Sequence, residues 1–335
     1  MTTKLKEAIQ RAANNYSFSG VVAITRGSTE VYQDSFGFRD VKNRLPNNPE
    51  TKFGIASGTK FFTALGIGRL IDEGLLSLTT TMEEIEVNFR GFIDEKATIL
   101  NLLTHTSGVY DYYDEEEITD FDNFFVEIPW YQLTTPSDYL PLFDNRPMKF
   151  RSDERYSYSN GGFVLLGVII EKVSGQLYRD FLTENVLTPA GMHDSGFFAF
   201  NDLPENTASG YLEDQVITNI YNLPIRGGGD GGMYTTSGDL SSFWKALFSH
   251  KILSPGLTDA YLKTYWKFDE SDGYGCGVYK KIDDSAYSIV GGDAGVGFFS
   301  KYIVKENMTI SVLSNVTNGE EGMVKSILRT LENSG

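Results

Sequence analysis

Ser57 and Lys60 stand three residues apart in "FGIASGTKFFTALGIGRLIDEG", at the mouth of an otherwise apolar run. Positions i and i+3 share one helix face, so a hydroxyl and an amine at this spacing can meet. An amine freed of its proton can take the serine proton and leave an oxygen nucleophile. The alternative is structural: Ser57 caps the helix and Lys60 reaches solvent. The motif recurs as Ser242-Phe-Trp-Lys245, so spacing by itself does not choose. A second group with relevant chemistry is Tyr158-Ser159-Asn160, in a loop just before another apolar stretch. A tyrosine phenol near a cationic lysine is expected to have a lowered pKa and could pass a proton between serine and leaving group. Asn160 offers a donor and an acceptor to a substrate amide or to Lys60, or else simply caps the helix that follows.

The elements that must position these groups follow from periodicity. Phe61, Leu65, Ile67, Leu70 and Ile71 recur at helical spacing and predict a buried helix from Phe61 to Leu76, with Ser57 at or near its N-cap. "SNGGFVLLGVIIEKVSGQ" predicts an apolar helix closed by Gly175, and "SGDLSSFWKALFSH" one capped by Ser237. Residues 4–14 read as a short amphipathic helix, and "FSGVVAITRGSTEVYQDSFGFRD" as two strands turning at Gly27-Ser28. The C-terminal stretch returns to strands and closes with a helix from about Gly319 to Leu331. Strands at both ends bracketing a helical middle predict one sheet built from both termini: residues 1–75 and 255–335 form a sheet lobe, 76–254 a mostly helical lobe, and the site lies in the cleft between them.

Composition bounds the function. The chain has 335 residues, 41% apolar and 13% aromatic, as expected of a large globular core. A net charge of −16 argues against nucleic acid or an anionic membrane surface as partner. The expected partner is a small-molecule or peptide substrate. The single cysteine, Cys276, permits no internal disulfide. The longest apolar run, Gly162 to Ile170, is far short of the roughly 20 residues that span a bilayer. The first residues lack the apolar core of a signal peptide, so a cytoplasmic location is expected, an exported form being the alternative. His105, His193 and His250 have no metal-ligand spacing, and neither metal nor cofactor is expected. "RGGGDGG" precedes no G-K-S/T and is no phosphate loop. The acidic, aromatic segment 111–133 reads as a surface loop with apolar anchors, alternatively as a lid over the cleft, and only remotely as a calcium loop.

Together, "FGIASGTKFFTALGIGRLIDEGLLSL", "ILNLLTHTSGV", "YSYSNGGFVLLGVIIEKVSGQ", "LTPAGMHDSGF" and "GGMYTTSGDLSSF" resemble the serine β-lactamase and penicillin-binding protein superfamily, in the branch of class C β-lactamases, D-alanyl-D-alanine carboxypeptidases and related esterases. The resemblance implies an α+β, β-lactamase/transpeptidase-like fold and a serine hydrolase that forms an acyl-enzyme on an ester or amide. It implies Ser57 as nucleophile, Lys60 as its activator, Tyr158 as proton shuttle and Asn160 in the substrate cleft. It also sets aside Ser242, which falls on an ordinary helix. The family's third element, K-T-G or H-x-G, corresponds to "SIVGGDAGVGFFSKY", where Gly292, Asp293 and Gly295 are the expected substrate-binding residues and no Lys or His stands. Carboxylate-bearing substrates such as penicillin are therefore disfavoured, unless Arg226 or Lys301 supplies the cation. Two alternatives accompany this reading: a D-alanyl-D-alanine carboxypeptidase or β-lactamase proper, and a non-catalytic sensor that retains the cleft.

Overall fold

A computed structural model of the chain describes residues 3–85, 91–118, 120 and 122–333. Helix α1 (Thr3–Asn15) leads into the hairpin β1 (Gly20–Arg26) and β2 (Thr29–Phe36). Helices α2 (Thr59–Asp72), α3 (Asn160–Ser174) and α4 (Ser237–Phe248) follow. The chain then returns through β3 (Trp266–Lys267), β4 (Asp272–Tyr274), β5 (Tyr279–Lys281), β6 (Ala286–Asp293), β7 (Val296–Ile303) and β8 (Met308–Ser314), and ends in α5 (Glu321–Glu332).

These eight strands form one antiparallel sheet in the order β2-β1-β8-β7-β6-β5-β4-β3. The N-terminal hairpin joins the C-terminal strand in register from Gly20 opposite Ser314 to Arg26 opposite Met308. Both faces are covered, so alternate residues of one strand enter different cores. Val22, Ile24, Ile310 and Val312 meet Leu5 and Ile9 of α1 and Met323 and Ile327 of α5. Val21, Ile289, Phe298 and Leu313 face the larger core built around α2 and α3. Between the strand sets the regular structure is mainly helical. Long stretches such as 104–118 are irregular, held by caps and side-chain hydrogen bonds.

Local chemistry explains where the boundaries differ from expectation. Ser57 does not cap α2. It sits in a 3-10 turn, Ala56–Gly58, that precedes the helix. Ala56 holds a left-handed φ of 43°, and the turn is pinned by Thr59, whose hydroxyl donates to the Ala56 carbonyl at 2.7 Å and accepts from Met233 N–H at 3.0 Å. Helix α4 is capped by Thr236 rather than Ser237, through a bond from Asp239 N–H. Gly175 closes α3 with φ 70°, as its sequence position predicts.

Candidate active site

Lys60 is 1% exposed, on the first turn of α2. Its Nζ lies 2.9 Å from Ser57 Oγ, 2.6 Å from Asn160 Oδ1 and 2.6 Å from the Asp230 carbonyl. Asn160 Nδ2 donates to the Tyr113 carbonyl at 2.7 Å and to Glu115 at 3.1 Å, which fixes Oδ1 toward Lys60. Two of the three lysine partners can therefore only accept. A neutral amine satisfies both with its two N–H groups and turns its lone pair to the Ser57 hydroxyl. Burial pushes the Lys60 pKa down toward that state, and the carboxylates of Asp230, Glu115, Asp111 and Asp293 oppose it.

Tyr158 meets the same hydroxyl. Its phenol hydrogen-bonds Ser57, and Lys60 Nζ lies 5.0 Å from its ring centroid. The expected fall in its pKa is not found. Burial raises it well above the ordinary phenol value, the Glu115 charge adds to this, and the Ser57 hydrogen bond offsets only part. The phenol is thus held protonated, a proton donor at rest.

Several positioning groups went unrecognised in the sequence. His105, fully buried at φ 57°, stacks on Tyr158 with ring centroids 4.4 Å apart. Its Nδ1 accepts from Ser159 N–H at 3.0 Å, so Nε2 carries the proton and donates to Tyr274 Oη at 3.1 Å. Burial, then Lys60, holds its pKa well below the usual histidine value, so it remains neutral. Asp111 accepts from the N–H groups of Asn160 (2.7 Å), Gly161 (2.9 Å) and Tyr113 (3.2 Å). With Ser159, the true N-cap, it satisfies the first turn of α3 and aims Asn160 inward. Asp230, from the Gly-rich run, gives its carbonyl to Lys60 while its carboxylate accepts from Tyr112 Oη at 2.5 Å. A lone charge amid glycines was the available signal.

Strand β6 forms the opposite wall. It pairs with β5 only at Tyr287 and Ser288, leaving the edge beyond them to face the nucleophile's turn. A methyl on Gly291 would stand 2.1 Å from Ile55 O and 3.0 Å from Ser57 N, so only glycine lets the strand come this close. Gly292 and Asp293 line the cleft, whereas Gly295 lies buried in the hairpin turn at φ 72° and outside the lining. The cleft encloses about 730 Å³ including its mouth. Tyr112 and Tyr113 wall it, so the acidic-aromatic segment builds the site instead of merely lying on the surface; its Thr119 and Phe121 are outside the described residues. Lys149 ties Asp114 and Glu116 to Ser157, beside Tyr158. Neither Arg226 nor Lys301 lines the cleft. Ser242 donates back to the Gly238 carbonyl within α4, and Lys245 is exposed.

Among the described residues no cluster of His, Cys, Asp or Glu could hold a metal, and no helix is long and apolar enough to cross a membrane. The profile of the Beta-lactamase family matches residues 5–332. Penicillin-binding protein 4* of Bacillus subtilis (strain 168) is 28% identical over 96% of this chain and 74% of its own length. The solved penicillin-binding protein from Bacillus halodurans is 38% identical with a TM-score of 0.90, covering 96% of this chain and 99% of that one. The octameric penicillin-binding protein homologue from Pyrococcus abyssi gives 29% identity and a TM-score of 0.81 over 98% of this chain and 77% of that one. A D-amino acid amidase from Ochrobactrum anthropi SV3, at 22% identity and TM-score 0.81 over 99% and 100% of the two chains, shares the fold.

Proposed function

Because this chain belongs to the Beta-lactamase family of serine hydrolases and carries its β-lactamase/transpeptidase-like fold, we propose that it cleaves an ester or amide through an acyl-enzyme on Ser57, in a cleft between a sheet lobe (1–75 and 255–335) and a helical lobe (76–254). The observation that carries this reading is the 2.9 Å contact of a buried Lys60 amine with the Ser57 hydroxyl, its other two partners being acceptors.

The chemistry follows from the protonation states. Neutral Lys60 takes the Ser57 proton as Oγ bonds the substrate carbonyl carbon. The developing oxyanion meets Ser57 N–H, at a helix start where the backbone dipole favours negative charge, and the free edge of β6. As the tetrahedral centre collapses, the bond to the leaving group breaks. Tyr158 gives that group its proton and is reprotonated from Lys60. Water then attacks the acyl-enzyme with the proton path reversed, releasing the acid and restoring Ser57. Asn160 holds Lys60 and lines the cleft beside the bound acyl group.

The third element supports a substrate other than penicillin. Gly291 is the residue that packs against the nucleophile's turn, so the two positions before it are Ile289, 2% exposed, and Val290. Neither is a cation. Similarity to penicillin-binding proteins keeps β-lactams in the test panel without making them the favoured substrate. A fluorophosphonate probe should add one label, read by intact mass, and Ser57→Ala should abolish it. A label that survives in Ser57→Ala and disappears in Ser242→Ala would reject the assignment.

A further inference from the structure

Beside the catalytic cleft the protein has a second hollow, of about 1010 Å³ including its mouth. The two are continuous, because Phe200, Leu223 and Ile225 line both. Trp130, Tyr131, Ile220 and Tyr221 wall the outer part, and no charged side chain among the described residues lines it. Ile220 and Tyr221 are 47% and 78% exposed, and Tyr131 is exposed as well, so large apolar groups stand uncovered next to the cleft. Apolar groups gathered in this way around a hollow mark a surface that receives an apolar ligand.

The walls are tied into the fold around the nucleophile. Phe200 N–H donates to the Ile225 carbonyl at 2.9 Å, which joins the two segments that the hollows share. Ile220 and Tyr221 sit on the 3-10 turn Asn219–Tyr221, whose buried Asn219 donates from Nδ2 to the Ala294 carbonyl at 2.8 Å, directly after β6. Asn222 Nδ2 donates to the Asp122 carbonyl at 2.6 Å and holds the end of the same turn. Another wall is the 3-10 turn Trp130–Gln132, with Trp130 buried. Ser57 and Asn160 line the cleft, whereas Tyr158, which protonates the leaving group, does not. The cleft and its extension therefore lie on the acyl side of the scissile bond.

We propose that this groove holds the distal part of an extended apolar acyl chain, so that the site takes esters or amides of medium-chain carboxylic acids in preference to short ones. This rests on the acyl-enzyme reading above and adds the substrate class. Ser57 Oγ bonds the carbonyl carbon, the alcohol or amine leaves with its proton, and water then frees the fatty acid. Throughout, the chain runs past Phe200, Leu223 and Ile225 into the groove. An uncharged chain also meets no repulsion from Asp230 and Asp293, the charged side chains of the cleft lining. Each methylene taken out of water is worth about twofold to fourfold in kcat/KM, the lower value belonging to an open groove.

The test measures kcat/KM at pH 7 for 4-nitrophenyl butanoate and 4-nitrophenyl octanoate, each below its aggregation concentration, with sedimentation of every variant. Octanoate should exceed butanoate by about 10- to 100-fold, the sum over its additional methylenes. Ile220→Asp and Tyr221→Asp, both at exposed positions, should each cut that ratio about fivefold or more, and Ile220→Leu should keep it. Lengthening the alcohol instead, from butyl acetate to octyl acetate, should bring no such gain. A ratio near one in the unmodified protein, a ratio that survives both aspartates, or a gain that follows the alcohol would overturn the inference and leave the hydrolase reading standing. An assembly that dissociates in Ile220→Asp with the ratio unchanged would make the groove an interface between copies and overturn it too. Failure of every ester together with a Ser57 inert to fluorophosphonate would instead remove the hydrolase reading.

Discussion

At the scale of single residues, the site depends on which group holds which proton. Lys60 is active when neutral, and burial lowers its pKa from the usual lysine value. Turnover of a neutral ester should thus rise with pH through an apparent pKa below that of an ordinary lysine, and Lys60→Met should remove that limb together with about 10² to 10⁴ of the rate. Tyr158→Phe should cost a similar factor while circular dichroism stays unchanged; near-normal turnover would show that the leaving group takes its proton elsewhere. Ser57 and Lys60 were legible in the sequence because their contact is local, three residues apart from the 3-10 turn to the first turn of α2. Tyr158 and Asn160 stood out by their chemistry, but only the family resemblance tied them to Ser57 and Lys60. Asp111, His105 and Asp230 were not singled out for the site, since their partners lie 49 to 170 residues away in the chain and exist only once α2, α3 and the irregular segments pack. The phenol pKa was misjudged for the same reason: a sequence shows the neighbouring lysine but not the burial that outweighs it.

At the scale of elements, the start of α3 and the edge of β6 do most of the positioning. Asp111→Ala would leave the N–H groups of Asn160 and Gly161 without their acceptor inside the protein, at about 1 to 3 kcal/mol for each buried group. We expect a loss of about 2 to 4 kcal/mol in urea denaturation, and a fall in kcat because Asn160 no longer holds Lys60. A kcat that is unaffected would confine Asp111 to stability. Helix and strand identities followed from apolar periodicity; the 3-10 turn under Ser57 did not, because it is imposed by Thr59 and the Met233 backbone across the site. The same holds for the third element, where adjacent glycines look alike in sequence. A methyl at Gly291 would collide with Ile55 and Gly58, whereas at Gly292 the nearest atom is 3.7 Å away, in Asn318. Gly292→Lys should therefore fold and raise acylation by benzylpenicillin by one to two decades, a gain expected of a charge-assisted bond to its carboxylate. Gly291→Lys should lose activity with every substrate. If both variants behave alike, the close approach of β6 is not what fixes the site.

At the scale of the whole molecule, buried acids should give the chain an unusual response to pH. Burial raises Asp111, Asp293 and Glu320 each to about 7, and Glu320 Oε2 is buried with no hydrogen-bond partner among the described residues. Their unfolded values lie near 4. Between about pH 4 and 7 the folded chain binds more protons at these positions than the unfolded chain does, so stability falls as pH rises. Their contribution is complete below about pH 4 and lost as pH passes through about 7, at most about 1.4 kcal/mol per pH unit for each group. The net charge of −16 acts in the same direction, because protonation relieves self-repulsion. Carboxylates held low by hydrogen bonds, such as Asp40 and Asp272, oppose this only below about pH 4. Urea midpoints at constant ionic strength should therefore be higher at pH 5 than at pH 8. Glu320→Gln, far from the nucleophile in sequence and outside the cleft lining, should flatten the profile by about one proton, and Asp293→Asn should do the same. A profile that is level from pH 5 to 8, or that Glu320→Gln leaves equally steep, would mean that water reaches these carboxyls and that they titrate as ordinary carboxylates.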